Sequence, residues 1–250
     1  MKPYNREDEV KAIFFDLDNT LYTYANGEKD PLSSPPSLHA RDKVFSYLLG
    51  LHSDLERENI LLIYEKIMRN SLKEEAEGSH DAWDLRKRFS KLLSDLGLRD
   101  DELVNKLAAV YAKTKAPFAK PYPSVYDVLN DLSKKYALGV ITNGPGVLQR
   151  ETISLLKLEK YFSHILISEE VGFRKPSKGI FKIALNEVAC RPGEAVMVGD
   201  NPTEDIEPAR RLGMGTVLFD PKNRFTREDL SSKERPDHLI TRLTELLKLY

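Results

Sequence analysis

A single cysteine, Cys190, stands in the 250 residues of this chain. An intrachain disulfide is therefore impossible, and the chain suits a reducing cytoplasm. With no histidine close to it in the sequence, Cys190 reads as a small core side chain rather than a nucleophile. Net charge is nearly absent as well: 38 Lys and Arg face 39 Asp and Glu, for a formal charge of -1 at pH 7. That balance argues against the broad positive field of a nucleic-acid binder. Short basic clusters such as Arg86-Lys87-Arg88 and Arg210-Arg211 read as solvated helix faces. No apolar run approaches the roughly 20 residues of a membrane span, and the polar opening MKPYNREDEV makes a poor secretory signal. The five histidines are scattered, without the paired spacing of a structural zinc site. The expectation is a cytoplasmic globule with neither membrane nor nucleic acid as partner. Its 41% hydrophobic content suffices for one large domain or a domain with an insert.

Two textures follow one another along the chain. KAIFF near the start, then LGVIT (138–142), HILIS (164–168), AVMVG (195–199) and GTVLF (215–219), are short apolar runs bounded by turn residues. Helix-period segments separate the later ones, with Ile180, Phe181, Ala184, Leu185 and Val188 on one face. Strand–helix–strand alternation with near-continuous apolar strands predicts a parallel sheet covered on both faces. DHLI near the C-terminus adds an edge strand before a last helix. Residues 23–116 differ. Ile60, Ile63, Tyr64, Ile67 and Met68 share one helical face; Leu85, Phe89, Leu92, Leu93 and Leu96 share another; Leu103, Leu107, Val110 and Tyr111 a third. An all-helical block is thus expected between the first strand and the rest of the sheet. DPLSSPPS (30–37) and APFAKPYPS (116–124) read as its entry and exit linkers.

In an open parallel sheet, ligands bind beyond the carboxyl ends of the strands. Asp16, Asp18 and Thr20 follow the first strand here, and TNGPG, with Thr142 and Asn143, follows the second. EEVGFRKP with Lys175 follows the third, and GDNPTEDIEPAR with Asp200 and Asp205 the fourth. Taken singly, each has a bland reading: a turn, strand-to-turn punctuation, a loop lysine, or a helix N-terminus with Thr203 as its cap. Together they supply what attack on a phosphate ester needs. A carboxylate approaching another anion requires positive charge. Mg²⁺ held by Asp16 and Asp200 would provide it, with a lysine ammonium against the developing charge. Asp18, two residues from Asp16, could serve as the acid, with both side chains on one face of extended chain.

DLDNT, TN, FRKP and GDNPTED resemble, in order, the four motifs of the haloacid dehalogenase-like hydrolase superfamily, and the resemblance spans essentially the whole chain. It implies an α/β fold, a Rossmann-like doubly wound parallel sheet core with an inserted all-helical cap domain. Residues 1–22 and 117–250 would form the core and 23–116 the cap. It also implies a two-step hydrolysis of a small phosphorylated metabolite, a sugar phosphate or a nucleotide-like compound. Asp16 would be the nucleophile and Asp18 the general acid and then base. Thr142, Asn143 and Lys175 would bind phosphate. The Mg²⁺ ligands would be Asp16, Asp18 through its backbone carbonyl, and Asp200, with Asp205 in support. A phosphoryl mutase uses the same residues. Dehalogenases of the family lack the second aspartate and the metal-binding set, and a non-enzymatic scaffold would not need every charged member kept.

Overall fold

The computed structural model describes residues 9–24, 34–79, 81–226 and 228–250. The strands in chain order are β1 (Ala12–Phe15), β2 (Tyr22–Tyr24), β3 (Ala119–Pro121), β4 (Ala137–Thr142), β5 (His164–Ile167), β6 (Ala195–Gly199), β7 (Gly215–Phe219) and β8 (His238–Ile240). The helices are α1 (Pro35–Leu51), α2 (Arg57–Ala76), α3 (Leu85–Asp95), α4 (Asp101–Lys115), α5 (Val125–Leu132), α6 (Gly146–Leu155), α7 (Ser168–Val171), α8 (Lys178–Glu187), α9 (Glu207–Leu212) and α10 (Leu246–Leu249). The chain divides into two compact units. One comprises Met1–Thr23, Lys120–Asn143 and Leu158–Tyr250; the other, Tyr24–Ala119 and Gly144–Lys157.

The first unit is an α/β sheet of six strands in the order β5-β4-β1-β6-β7-β8, every pairing parallel. This is the Rossmann-like arrangement expected from the run of apolar strands. All four residues of β1, and all five of β6 and of β7, are buried, as strands covered on both faces must be. Phe14 lies opposite Gly139 in the register. A Cβ on Gly139 would fall 2.7 Å from the Phe14 ring, so the glycine makes room for that ring. Ile180, Phe181, Ala184 and Leu185 of α8 pack with Phe14, Ile141, Leu166 and Met197 into one core, and Cys190 lies partly buried against it. β2 and β3 form a separate pair; β3 lies within the exit linker expected at 116–124, and β2 spans the expected boundary between residues 22 and 23.

The second unit is helical. Phe45 and Leu48 of α1, Ile60 and Tyr64 of α2, Phe89 and Leu92 of α3, and Leu107 and Tyr111 of α4 form its core. Leu148 of α6 joins that core. For this reason residues 144–157 group with the helices, although the sequence reading assigned them to the sheet. The entry linker expected at 30–37 lies outside the described residues over 30–33. Ser34–Ser37 instead begin α1: the Ser34 hydroxyl accepts from the Ser37 N–H, and Pro35 occupies the first turn, where a missing N–H costs nothing. Arg88 is a second departure. It sits on the buried face of α3 with Leu85, Phe89, Leu92 and Leu93 and is only 4% exposed, whereas Arg86, Lys87, Arg210 and Arg211 are exposed. Position 88 falls three residues after Leu85, on the apolar side of the helix.

Phe89 is fully buried, its ring 6.1 Å from that of Tyr111. Phe89→Ala is expected to destabilise the helical unit by about 3–5 kcal/mol, measured as a lowered urea midpoint in its unfolding transition.

Candidate active site

Asp16 stands one residue beyond β1, and its backbone N–H donates to the Val198 carbonyl at 2.9 Å. The ladder to β6 thus continues one step past the strand and fixes where the carboxylate emerges. β1 ends at Phe15. Asp18 makes an isolated bridge with Tyr22, and Asn19 between them turns the chain with φ +60°. The Asn19 N–H donates to the Tyr22 carbonyl at 2.7 Å. Thr20 is fully buried, and its hydroxyl has no partner among the described residues.

Lys175 is the centre of the arrangement. It is 2% exposed, and its ammonium donates to Asp16 Oδ1 at 2.7 Å and to Asp205 Oδ1 at 2.6 Å. Its backbone is clasped from the end of β4. Asn143 Nδ2 donates to the Lys175 carbonyl at 2.9 Å, while the Lys175 N–H donates to Asn143 Oδ1 at 2.8 Å. The Asn143 side chain thus positions the lysine loop. Thr142, the last residue of β4, is buried at 1% exposure.

Asp200 follows β6. After it, Asn201 caps a turn of π-helix over Pro202–Ile206: its side-chain oxygen accepts from the N–H groups of Thr203 and Glu204. The cap is therefore Asn201 and not Thr203, since the asparagine oxygen reaches both free N–H groups. The Asn201 N–H donates to Asp205 Oδ2 at 3.0 Å, so both oxygens of this fully buried carboxylate are engaged. Gly199 permits that placement. A Cβ at position 199 would fall 2.2 Å from Asp205 Oδ2.

Carboxylate oxygens of Asp16, Asp200 and Asp205 all lie within 4.8 Å of one another. The Asp18 carboxylate is not in this group and is half-buried. Three buried acids share one lysine, and the protonation energetics show an excess of negative charge. Burial raises the Asp16 pKa well above the usual carboxylate range. Lys175 opposes the shift, and Asp205, Asp200 and Asp18 add to it. Asp200 is pushed up to about 6 by burial and by Asp205, against the pull of Arg224 and Lys175. Burial works against the Lys175 charge, but Asp16 and Asp205 outweigh it and raise its pKa. Converging oxygen donors with uncompensated negative charge suit a hard divalent cation.

Two arginines near these groups escaped the sequence reading. Arg224 Nη2 donates to both the carbonyl and Oδ2 of Asp200 at 3.2 Å, and its Nε to buried Asp220 Oδ1 at 3.1 Å. Arg174 pairs with Glu204 at 3.3 Å. The signal for Arg224 lies in FDPKNRF, the loop at the end of β7, the strand next to β6.

Residues 10–213 match the family described as haloacid dehalogenase-like hydrolase, and this chain belongs to that family. A glyceraldehyde 3-phosphate phosphatase of Methanopyrus kandleri is 32% identical over 242 residues, covering 95% of this chain and 96% of its own. Among solved structures, a 2-haloacid dehalogenase from Pseudomonas syringae pv. Tomato DC3000 superposes with a TM-score of 0.73 at 27% identity. It covers 96% of this chain and 97% of that one. A HAD phosphatase from Thermococcus onnurineus does so with a TM-score of 0.64 at 28% identity, over 96% and 97%. Among the described residues, no helix is long and apolar enough to cross a membrane.

Gly199→Ala is expected to displace the Asp205 carboxylate and weaken divalent-cation binding about 10- to 100-fold, read by calorimetry, with circular dichroism unchanged. The raised Asp200 pKa carries a second expectation. The folded protein holds this proton more tightly than the unfolded chain. Metal-free stability should therefore fall as pH rises from about 4 to 6, by roughly 3 kcal/mol from this group alone. A divalent cation competes with the proton and should raise the melting temperature more at pH 7.5 than at pH 5. An equal rise at both would contradict the reading.

Proposed function

We propose that the protein is a Mg²⁺-dependent phosphatase acting on a small phosphomonoester through an aspartyl-phosphate intermediate. The observation that carries this reading is the convergence of Asp16, Asp200 and Asp205 around Lys175 at the carboxyl edge of the sheet. Asp16, Asp200 and Asp205, with the Asp18 backbone carbonyl, would hold the Mg²⁺, which supplies positive charge where one anion must approach another.

The chain's own groups account for the remaining steps. Lys175 holds Asp16 Oδ1 and so presents Oδ2 as the attacking atom. Attack of Oδ2 on phosphorus forms a new P–O bond, and the bond to the leaving alcohol breaks. Asp18 gives its proton to the departing oxygen. In the second step Asp18 takes a proton from water, whose oxygen attacks the same phosphorus. Asp16 is released as the carboxylate together with inorganic phosphate. The Thr142 hydroxyl, the Asn143 N–H and the Lys175 ammonium would bind the phosphoryl oxygens as charge shifts onto them. The helical unit is read as the cap domain of the family.

Relatives from Methanopyrus kandleri, Pyrococcus furiosus and Methanocaldococcus jannaschii bear the name glyceraldehyde 3-phosphate phosphatase, which makes a short-chain sugar phosphate the first substrate to test. Solution chemistry in the cytoplasm, on a metabolite rather than a nucleic acid, fits the near-neutral net charge. The named dehalogenase among the structural neighbours raises a second chemistry. Carbon–halogen hydrolysis through an aspartyl ester has no use for a second aspartate at position 18 or for a metal-binding set, and the burial of Asp200 and Asp205 beside Asp16 favours phosphoryl transfer.

Purified protein with Mg²⁺ is expected to release phosphate from an aryl phosphate and from glyceraldehyde 3-phosphate, and to stop when EDTA is added. Asp16→Asn should lower kcat by at least about 10³-fold, a nucleophile being essential to the covalent route, with the melting temperature preserved. Wild-type turnover by this variant, or halide release from 2-chloropropionate at a comparable rate, would overturn the assignment.

A further inference from the structure

Arg88 lies in the interior of the helical unit and has no carboxylate partner among the described residues. Its contacts are aromatic and phenolic. Nη1 donates to the Tyr64 hydroxyl at a long 3.4 Å, the Tyr111 hydroxyl is a second hydrogen-bond partner, and the guanidinium carbon is 5.6 Å from the ring centroids of both Trp83 and Tyr111. Its buried Nε–H has no acceptor among the described residues. Aromatic faces attract a cation but carry no net charge to neutralise it. A buried charge left without a counter-charge costs several kcal/mol.

Beside this arginine is a cavity of about 160 Å³ whose lining includes Asn70, Ser71, Glu74, Lys87, Arg88 and Lys91, together with apolar Ile67 and Ala82. That space exceeds what one water occupies. Glu74 does not serve Arg88, because it pairs with Lys87 at 2.8 Å. Lys87 also reaches Asp81 at 3.1 Å, and Lys91 pairs with Asp95. The two lysines thus have their counter-charges, and the arginine does not. Ser71, buried at 7% exposure, and Asn70 add a hydroxyl and an amide to the lining, donors that suit an oxyanion.

We propose that this cavity in the helical unit binds a small oxyanion, a phosphate or phosphoryl group, with Arg88 as its principal charged contact. The guanidinium fork matches such an anion in two-point geometry. The site is formed wholly by α2, α3 and the turn before α3, separately from the sheet-edge acids, so it stands whether or not the phosphatase reading does.

The chain's one tryptophan is a local reporter, its ring packed on Arg88. In EDTA, sodium phosphate is expected to change Trp83 emission saturably, while sodium chloride at matched ionic strength is not. Glycerol 3-phosphate producing the same response would assign the phosphoryl group, and a response to inorganic phosphate alone would assign the free ion. Arg88→Met, an apolar replacement of similar length, should keep the fold and weaken the response at least about tenfold. Thr142→Ala, at the sheet edge, should leave it intact. If Arg88→Met does not fold, Ser71→Ala and Lys91→Met carry the same expectation of weakened binding. The proposal fails if wild type shows no saturable response up to about 20 mM, beyond the range in which a millimolar site fills. It fails equally if the response survives Arg88→Met, if it survives both wall substitutions, or if Thr142→Ala removes it.

Discussion

One ammonium group held between two buried carboxylates sets the terms for the sheet-edge site. Lys175 touches Asp16 and Asp205 at hydrogen-bond distance, and Asp200 lies close enough to add its repulsion. Buried like charges at this separation resist ionising together. The lysine is therefore required for the acids to coexist, and it is insufficient to neutralise them. That shortfall is the property a cation-dependent site needs. A fully compensated cluster would offer a metal ion little, and an uncompensated one without the lysine would take up protons instead.

The fold supplies this arrangement through backbone more than through side-chain packing. β1 lies inside the sheet, between β4 and β6, so the loop that ends it can meet loops from either side. From the β4 side comes the Asn143 clasp on the Lys175 backbone, and from the β6 side the Asn201 N–H on Asp205. Each amide group holds one partner of the central ion pair. Gly199 leaves the volume into which the Asp205 carboxylate folds back. The positions with no chemistry of their own decide where the reactive carboxylate points, which is where pre-organisation is expected to reside.

Strand content was legible in the chain because buried parallel strands read as uninterrupted apolar runs. β6 and β7 coincide with AVMVG and GTVLF to the residue. The residues gathered at the site were legible for a related reason, since each of Asp16, Thr142 and Asp200 directly follows or ends such a run. Side-chain partnership was not. Asn143 has the same spelling whether its amide clasps a backbone or its N–H meets a ligand, and nothing about Arg224 in FDPKNRF shows that it will reach across to Asp200. Local spelling also misled at Ser34–Ser37, where a proline pair that suggests a linker instead starts α1. Residues 144–157 carry a helical pattern that is equally at home against a sheet or against other helices. Only the packing of Leu148 separates the two.

Arg88 tests the same electrostatic logic from the opposite sign. Within RKR it looks like any surface triplet, yet the helix turns its first and second members outward and its third inward. Both buried cations in question, Lys175 and Arg88, pay desolvation on folding. Lys175 recovers it from two carboxylates, whereas Arg88 recovers the weaker attraction of two rings and two phenol hydroxyls. An apolar side chain of the same length would fill the space at no such cost. Stability alone therefore gives no account of an arginine there, while the adjoining cavity with its own hydroxyl and amide does. The acids at the sheet edge lack positive charge and the arginine lacks negative charge, and each deficit specifies the sign of what completes it.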